Sequence, residues 1–261
     1  MELTNTQLIY FTGTGSTRTV GRTVAEGIGL PVQEWDCTTQ KAQTPFQPDE
    51  HTITVLAVPS FGGRVPKPIQ SRMEQLQGKG PVVLVSVYGA RASDSTLPEL
   101  RDFACEAGYM PVAAGAFVAK HSLAPVVAAD RPNADDLEAA RELGRKAKEL
   151  AEILPENGSC ILDLPGEKPY REFNGLAFHP EADDTCEKCG HCVNECPMGA
   201  ISPEKPGETD TTLCITCMRC AAVCPVHGRR LGLIGETAMA EKLSQVCDPA
   251  KPNEIWLAKQ Q

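Results

Sequence analysis

Eight cysteines in two evenly stepped runs constrain this chain more than any other feature. Cys186, Cys189, Cys192 and Cys196 precede Pro197, and Cys214, Cys217, Cys220 and Cys224 precede Pro225. The second run repeats the first at a constant offset of 28 residues, so the pattern C-x2-C-x2-C-x3-C-P occurs twice in tandem. Two equivalent sets of soft thiolate ligands point to inorganic chemistry. Zinc and disulfides both fit worse. Zinc sites present paired C-x2-C units with four ligands per metal, and the unbroken third cysteine of each run is surplus to that plan.

Cysteines at this spacing hold iron-sulfur clusters. The runs resemble those of bacterial ferredoxins with two [4Fe-4S] clusters, in which the fourth cysteine of each run serves the other cluster. On that rule cluster one takes Cys186, Cys189, Cys192 and Cys224, and cluster two takes Cys214, Cys217, Cys220 and Cys196. The proline after each fourth cysteine lacks a backbone donor and fixes φ, which turns the chain away from the cluster just reached.

At 261 residues the chain is long for a ferredoxin and suits an ordinary domain plus a small one. It contains no apolar run of the roughly 18 residues a membrane helix needs, and Met1 to Gln7 lacks the basic flank of a secretory signal. These features predict a soluble, cytoplasmic protein. In a reducing compartment the scattered Cys37, Cys105, Cys160 and Cys247 are expected as buried fillers, not disulfides. A formal charge of −9 argues against a nucleic-acid partner and suits docking to basic patches on redox proteins. No membrane partner is expected, and a homodimer is compatible with the sequence.

The first three-fifths alternates strand and helix patterns. The apolar run Gln7 to Thr12 turns through Gly13 and Gly15 into a helical pattern, STRTVGRTVAEGIGL. Further strand-like runs lie at Pro31 to Asp36, Thr52 to Pro59, Pro81 to Tyr88 and Pro111 to Ala119. Amphipathic segments lie near Lys67 to Gln77, Asp94 to Ala107 and Asp135 to Leu154. Five strands alternating with helices predict an α/β fold with a doubly wound parallel sheet. Runs such as VVLVSV, apolar on both faces, are what a sheet covered on both sides requires.

The first loop, Thr12-Gly13-Thr14-Gly15-Ser16-Thr17, lacks the third glycine of a dinucleotide fingerprint, because Arg18 stands there, and lacks the Gly-Lys-Ser/Thr of a Walker loop. It is rich in hydroxyls instead. Such a loop binds a monophosphate through side-chain hydroxyls, backbone amides and the positive end of the following helix. The segment LIYFTGTGST resembles the phosphate loop of flavodoxins, and the resemblance implies FMN. Two later loops sit at carboxyl ends of strands, where open α/β sheets hold ligands. Ser60, Phe61, Gly62 and Gly63 belong to one, and Tyr88, Gly89, Arg91 and Asp94 to the other. Their glycines let backbone approach a flavin ring, and Phe61 and Tyr88 are placed to stack on it. Arg18, Arg64 and Arg91 are candidates to pair with the phosphate or with a partner, or else are solvated.

The chain as a whole resembles a fusion family of anaerobic bacteria and archaea, in which a short flavodoxin-like FMN domain precedes a two-cluster ferredoxin. The resemblance rests on the two flavin loops, Lys120-His121-Ser122 to Arg131-Pro132, the joining stretch PGEKPYREFNG and both cysteine runs. It implies FMN binding and electron transfer. The expected organisation is a flavodoxin-like domain with a five-stranded parallel sheet over 1–154 and a connecting segment over 155–185. A small α+β ferredoxin domain then occupies 186–230, and a helical extension 231–261. The last flavodoxin helix leaves the chain on the side away from FMN. The connecting segment carries Ile161, Leu162, Tyr170, Phe173, Leu176 and Phe178, too many apolar residues for a free linker. It is therefore expected to pack along the first domain and return the clusters to the flavin side.

His121 and Ser122 have no nucleophile elbow beside them, so a polar contact near the flavin is the better reading. His191, between two cluster ligands, is read as solvent-facing. Val226-His227-Gly228-Arg229 departs from the Gly-Ala-Ile ending of the first run, with an effect on cluster two left open. The favoured activity is transfer of low-potential electrons between the clusters, FMN and a partner redox enzyme. An FMN-dependent reductase of a small substrate, and a redox- or oxygen-sensing interaction protein, are the alternatives.

Overall fold

The computed structural model describes residues 2–39, 47–154 and 160–260. The first strand is β1 (Asn5–Tyr10), followed by α1 (Ser16–Ile28) and β2 (Val32–Asp36). Then come β3 (Thr52–Pro59), α2 (Lys67–Met73), β4 (Pro81–Tyr88), α3 (Thr96–Glu106), β5 (Met110–Val118) and α4 (Ala134–Ile153). Strands β1 to β5 pair in the parallel order 2-1-3-4-5. That order is the flavodoxin-like one, in which the switch point lies beside β1 and β3.

Alternation along the strands explains the layering. Ile9, Phe11, Leu56 and Leu84 face α2 and α3 and pack with Ile69, Leu97 and Leu100. Their neighbours Leu8, Tyr10, Val55 and Val83 face α1 and α4 and pack with Val20, Val24 and Leu143. Because β3 and β4 are buried at every residue, both faces must be apolar. Glycines let α1 and α4 come close, since a Cβ on Gly144 would collide with the carbonyl oxygen of Val24. Each large apolar side chain so buried contributes about 1.5–3 kcal/mol. No helix among the described residues is long and apolar enough to cross a membrane.

Beyond α4 the chain contributes β6 (Cys160–Ile161), β7 (Glu181–Ala182), α5 (His191–Glu195), α6 (Arg219–Ala222) and β8 (Arg229–Arg230). Here β7 and β8 pair antiparallel, while α5 and α6 each begin inside a cysteine run, giving a small α+β unit. Of the segment 155–185, residues 155–159 lie outside the described residues. Residues 162–171 lie against α3 and the loop before it. Leu162 accepts a hydrogen bond from Arg101 at 3.1 Å, Lys168 pairs with Asp102 at 2.5 Å, and Arg171 pairs with Asp94 at 2.7 Å. Leu162 and Leu164 join the apolar layer on that face.

The C-terminal stretch departs from the helical extension expected there. Helix α7 (Gly232–Val246) is present, but it is followed by β9 (Glu254–Leu257) and β10 (Lys259–Gln260). Strand β9 pairs antiparallel with β5 and adds a sixth strand to the five parallel ones. The physical reason is that β5 would otherwise be an open sheet edge, and EIWL supplies the β-branched and aromatic residues that suit pairing there. A buried ion pair fixes the strand. Arg131 clasps Asp136 with both ends of its guanidinium, Asn253 donates to the same carboxylate at 2.7 Å, and Val118 donates its amide to Asn253 at 3.0 Å.

Candidate functional site

The loop expected to take a phosphate forms where β1 ends and α1 begins. The hydroxyl of Thr12 accepts the amide of Gly15 at 3.0 Å, while the Thr12 amide is held by Thr38 at 2.9 Å. Gly15 precedes α1 with φ of 100° and supplies no side-chain cap, so the amides of the first turn face outward without a competing side-chain acceptor. Thr14, Ser16 and Thr17 line the cavity that opens there, which has a volume of about 230 Å³.

Most residues expected around a flavin lie on this cavity. Gly13, Ser60, Phe61, Gly62 and Gly63 are on its walls, as are Tyr88, Gly89 and Arg91. Thr12, Gly15 and Asp94 do not line it. Thr12 and Gly15 shape the loop from behind, and Asp94 instead holds Arg91 and Arg171. Of the three arginines, only Arg91 reaches the cavity. Arg18 is engaged by Glu34 at 3.0 Å, and Arg64 by the buried Glu99 at 2.6 Å. Phe61 packs edge-on against Phe11 with ring centroids 6.2 Å apart. Tyr88 is buried, and its hydroxyl is pushed up to about 12 by desolvation and by Glu254.

Several loop glycines are required by protein neighbours. A Cβ on Gly62 would enter the ring of Phe173, and one on Gly13 would strike the carbonyl oxygen of Cys217. The flavodoxin-like loops are thus covered by the rest of the chain. Phe173 and Leu176 from the connecting segment line the cavity, as do Ile215, Thr216 and Cys217 from the second cysteine run and Met239, Lys242 and Leu243 from α7. Sequence reasoning named Cys217 only as a cluster ligand and missed the other five of the last six, because nothing local marks a residue that meets a loop some 200 positions earlier.

His121 also lines the cavity and is neutral. Burial, and secondarily Arg91, bring its imidazole down to about 4. Its Nδ1 accepts the Leu123 amide at 3.2 Å, which leaves the proton on Nε2. Ser122 is on the wall beside it, and His191 is exposed at the start of α5.

A second cavity, next to the first, is lined by Cys196, Cys214, Cys217 and Cys220, one thiol from the first run and three from the second. At the other site Cys186 and Cys189 act electrostatically on Cys192, and Cys224 is carried toward them. Its sulfur accepts the Gly228 amide at 3.2 Å, and Gly228 abuts the backbone of Cys186. Burial pushes the Cys217 thiol up to about 12 and Cys220 to about 11. Bare thiolates are therefore unfavourable here, and the donor set fits a cationic iron core that stabilises them. Backbone amides point at other sulfurs, from Ala200 to Cys196 at 3.3 Å and from Thr216 to Cys214 at 3.4 Å. Among the described residues no group of three or more His, Cys, Asp or Glu side chains is arranged to hold a single metal ion.

Arg229, part of the divergent tail, is 3% exposed and binds the carbonyls of Pro206 at 2.6 Å and Pro180 at 2.9 Å. Its charge acts on Cys192, Cys214 and Cys220, thiols of both sets. Arg72 of α2 ties the two halves of the chain together, donating to Thr38 at 2.9 Å and to Pro197 at 3.0 Å.

Residues 185–228 match the sequence profile of the 4Fe-4S dicluster domain. Among curated proteins, the chain is 32% identical over 84 residues to the thiosulfate reductase electron transfer subunit PhsB of Salmonella typhi, covering 31% of this chain and 43% of that protein. It is 42% identical over 48 residues to the DNA-directed RNA polymerase subunit Rpo3 of Methanosarcina acetivorans, covering 17% and 18%. The chain thus spans less than half the length of these curated relatives. Among solved structures it is similar to a flavodoxin from the domain Archaea, at 12% identity and a TM-score of 0.44 over 57% of this chain and 99% of that one. A WrbA-like flavodoxin from Agrobacterium tumefaciens matches at 17% identity and a TM-score of 0.39, over 57% and 98%. The strand order itself establishes the flavodoxin-like sheet. That sheet and the dicluster segment together fit a general role in electron transfer.

Proposed function

We propose that the chain is a flavo-iron-sulfur electron carrier that holds FMN in the first cavity and a [4Fe-4S] cluster on each of the two thiol sets. It passes low-potential electrons between these centres and a partner redox enzyme. The observation that carries this reading is a shared wall, since Ile215 and Cys217 line both the loop cavity and the cavity of Cys196, Cys214, Cys217 and Cys220.

When bound, FMN exchanges one or two electrons and each cluster exchanges one. Thr14, Ser16, Thr17 and the first-turn amides of α1 bind and orient the phosphate. Phe61, Tyr88 and Phe173 exclude water from the ring end. His121, held neutral, offers its Nε2 proton as a donor without adding charge. The amides of Ala200, Thr216 and Gly228 donate to cysteine sulfur and favour the reduced, more negative state of each cluster. The net charge of −9 suits a partner with a basic docking face.

Anaerobic purification followed by cofactor analysis tests the reading. One FMN, about eight irons and about eight sulfides per chain are expected. Zinc, or iron and sulfide without flavin, would overturn it.

A further inference from the structure

We infer that the flavin site is composite, and that the loop carrying Cys214 to Cys217 and helix α7 are walls that contribute to holding the flavin. Loss of cluster two therefore weakens the hold on the flavin. This rests on the proposed identity of the cofactors and adds a dependence between them.

The argument begins with contact. The phosphate loop meets Cys217 so closely that no side chain fits at Gly13, and the obstructing atom is a backbone carbonyl, which cannot swing aside as a side chain would. Ile215, Thr216 and Cys217 then form one wall of the cavity that Thr14, Ser16 and Thr17 open on the other side. The five parallel strands and their helices build only part of the site.

Apart from the cysteines, this wall is held by Ile215 packing on the apolar layer of the sheet, by Met218 packing with Leu231 and Met239, and by a few hydrogen bonds. Residues 214–218 belong to no helix or strand, and Thr216 and Met218 have φ of 51° and 61°. The segment's hydrogen bonds to other segments run from the Cys214 amide to Asp210 at 3.0 Å and from the Thr216 hydroxyl to Phe178 at 3.2 Å, with the Nδ1 of His179 at 3.3 Å from the same hydroxyl. The apolar layer behind it is small, with Cys192, Ile201 and Cys220 as its buried members. Iron-thiolate bonds at Cys214, Cys217 and Cys220 would supply most of the restraint, because so little apolar surface is buried around them.

The roof depends on the same segment. Met218, next to Cys217, packs with Leu231 and Met239, and Met239 lines the flavin cavity from α7. Loosening Cys217 therefore removes the Met218 support from α7, whose other seat is the packing of Ala240 and Leu243 on the apolar layer of the sheet. Lys242, one turn further along, is exposed at the mouth of the cavity and sets a cation over it together with Arg91 and Lys120. These cations suit the anionic phosphate or a reduced, anionic ring. Lys242 is brought to the cavity by the packing of α7.

Flavin affinity of the whole chain, measured by fluorescence titration before and after anaerobic iron chelation, tests the dependence. Circular dichroism follows the helices of the flavodoxin-like half in the same samples. Chelation is expected to weaken FMN binding by about tenfold or more, as the apolar wall leaves the ligand. Ile215→Ala and Gly13→Ala, each with iron and sulfide at full content, are expected to weaken it about threefold or more. Unchanged affinity after chelation overturns the inference while leaving the cofactor assignment standing. Unchanged affinity in both variants also overturns it, since the wall would then not be the route. An iron-loaded chain that binds no FMN overturns the assignment itself, and the inference with it.

Discussion

The ring of Phe173 occupies the space that a side chain on Gly62 would need. Gly62 has φ of 60°, a left-handed conformation that glycine adopts freely, and it lies on the cavity wall beside Phe61. The connecting segment and the loop after β3 are therefore fitted to each other at one point. Gly62→Ala combines backbone strain with overpacking and is expected to cost about 1–3 kcal/mol in chemical denaturation. It should also open residues 165–180 to limited proteolysis. Unchanged stability with an unchanged cleavage pattern would show that the contact does not hold the segment.

Asp136 anchors the sixth strand through Arg131 and Asn253. Burial alone would raise its carboxyl, but the Arg131, Asn133 and Asn253 hydrogen bonds hold it below the usual carboxylate range. Its folded pKa is thus depressed, so its contribution is present above about pH 4, the unfolded value, and is lost as pH falls through the folded value. Asp136→Ala leaves Arg131 buried and unpaired, which costs about 3–5 kcal/mol. Hydrogen exchange should show faster opening of Ile255 and Trp256 than of strand β3. Equal protection of β9 in the variant and the parent would sink the idea.

Arg229 places a buried positive charge near thiols of both sets. A fixed cation favours the reduced cluster, which is more negative, so its removal lowers the reduction potential. Arg229→Gln is expected to shift both clusters to lower potential in an EPR-monitored redox titration. The larger shift should fall on the cluster of Cys214, Cys217, Cys220 and Cys196, whose thiols Arg229 influences at two positions. A shift to higher potential, or none, would contradict this placement of the charge.

His121 should remain neutral at all ordinary pH values. Its folded pKa is lowered from 6.5 to about 4, so the unfolded chain takes up the proton first as pH falls. The associated stability is complete above about pH 6.5 and disappears on descending toward pH 4, amounting to about 3 kcal/mol at most. In flavin-free protein the ring resonances of His121 should titrate near pH 4 in NMR spectra. Titration above pH 6 would mean that the imidazole is not buried beside Arg91.

The sequence made the parallel sheet legible because β3 and β4 are long, apolar on both faces and bounded by Pro, Gly and polar turns. Thr52–Pro59 and Pro81–Tyr88 could be read to the residue. The turn from β1 into α1 was equally legible, since hydroxyls and glycines there act locally on the backbone. The covering residues were not. Ile215, Met239 and Lys242 carry no local signature, and their part in the cavity is set by how one half of the chain docks on the other. Strand β9 was missed for a related reason. Four residues after a helix give too short a pattern, and only the exposed edge of β5 explains why they pair.

Iron removal should separate the two halves of the chain in stability, with the tail staying on the side of the sheet. The segment 186–230 has few buried apolar side chains, whereas the sheet carries a continuous apolar layer on each face. Strand β9 follows that segment in sequence, yet its anchors are Arg131, Asp136 and Val118, none of which touches a cluster ligand. Chelation is therefore expected to abolish amide protection between 186 and 230 while β1, β3, β4, β5 and β9 keep theirs, as read by hydrogen-exchange mass spectrometry. Loss of protection in β9 along with the cysteine runs would make the tail part of the iron-dependent unit. A single thermal transition indifferent to iron would reject the two-part division altogether.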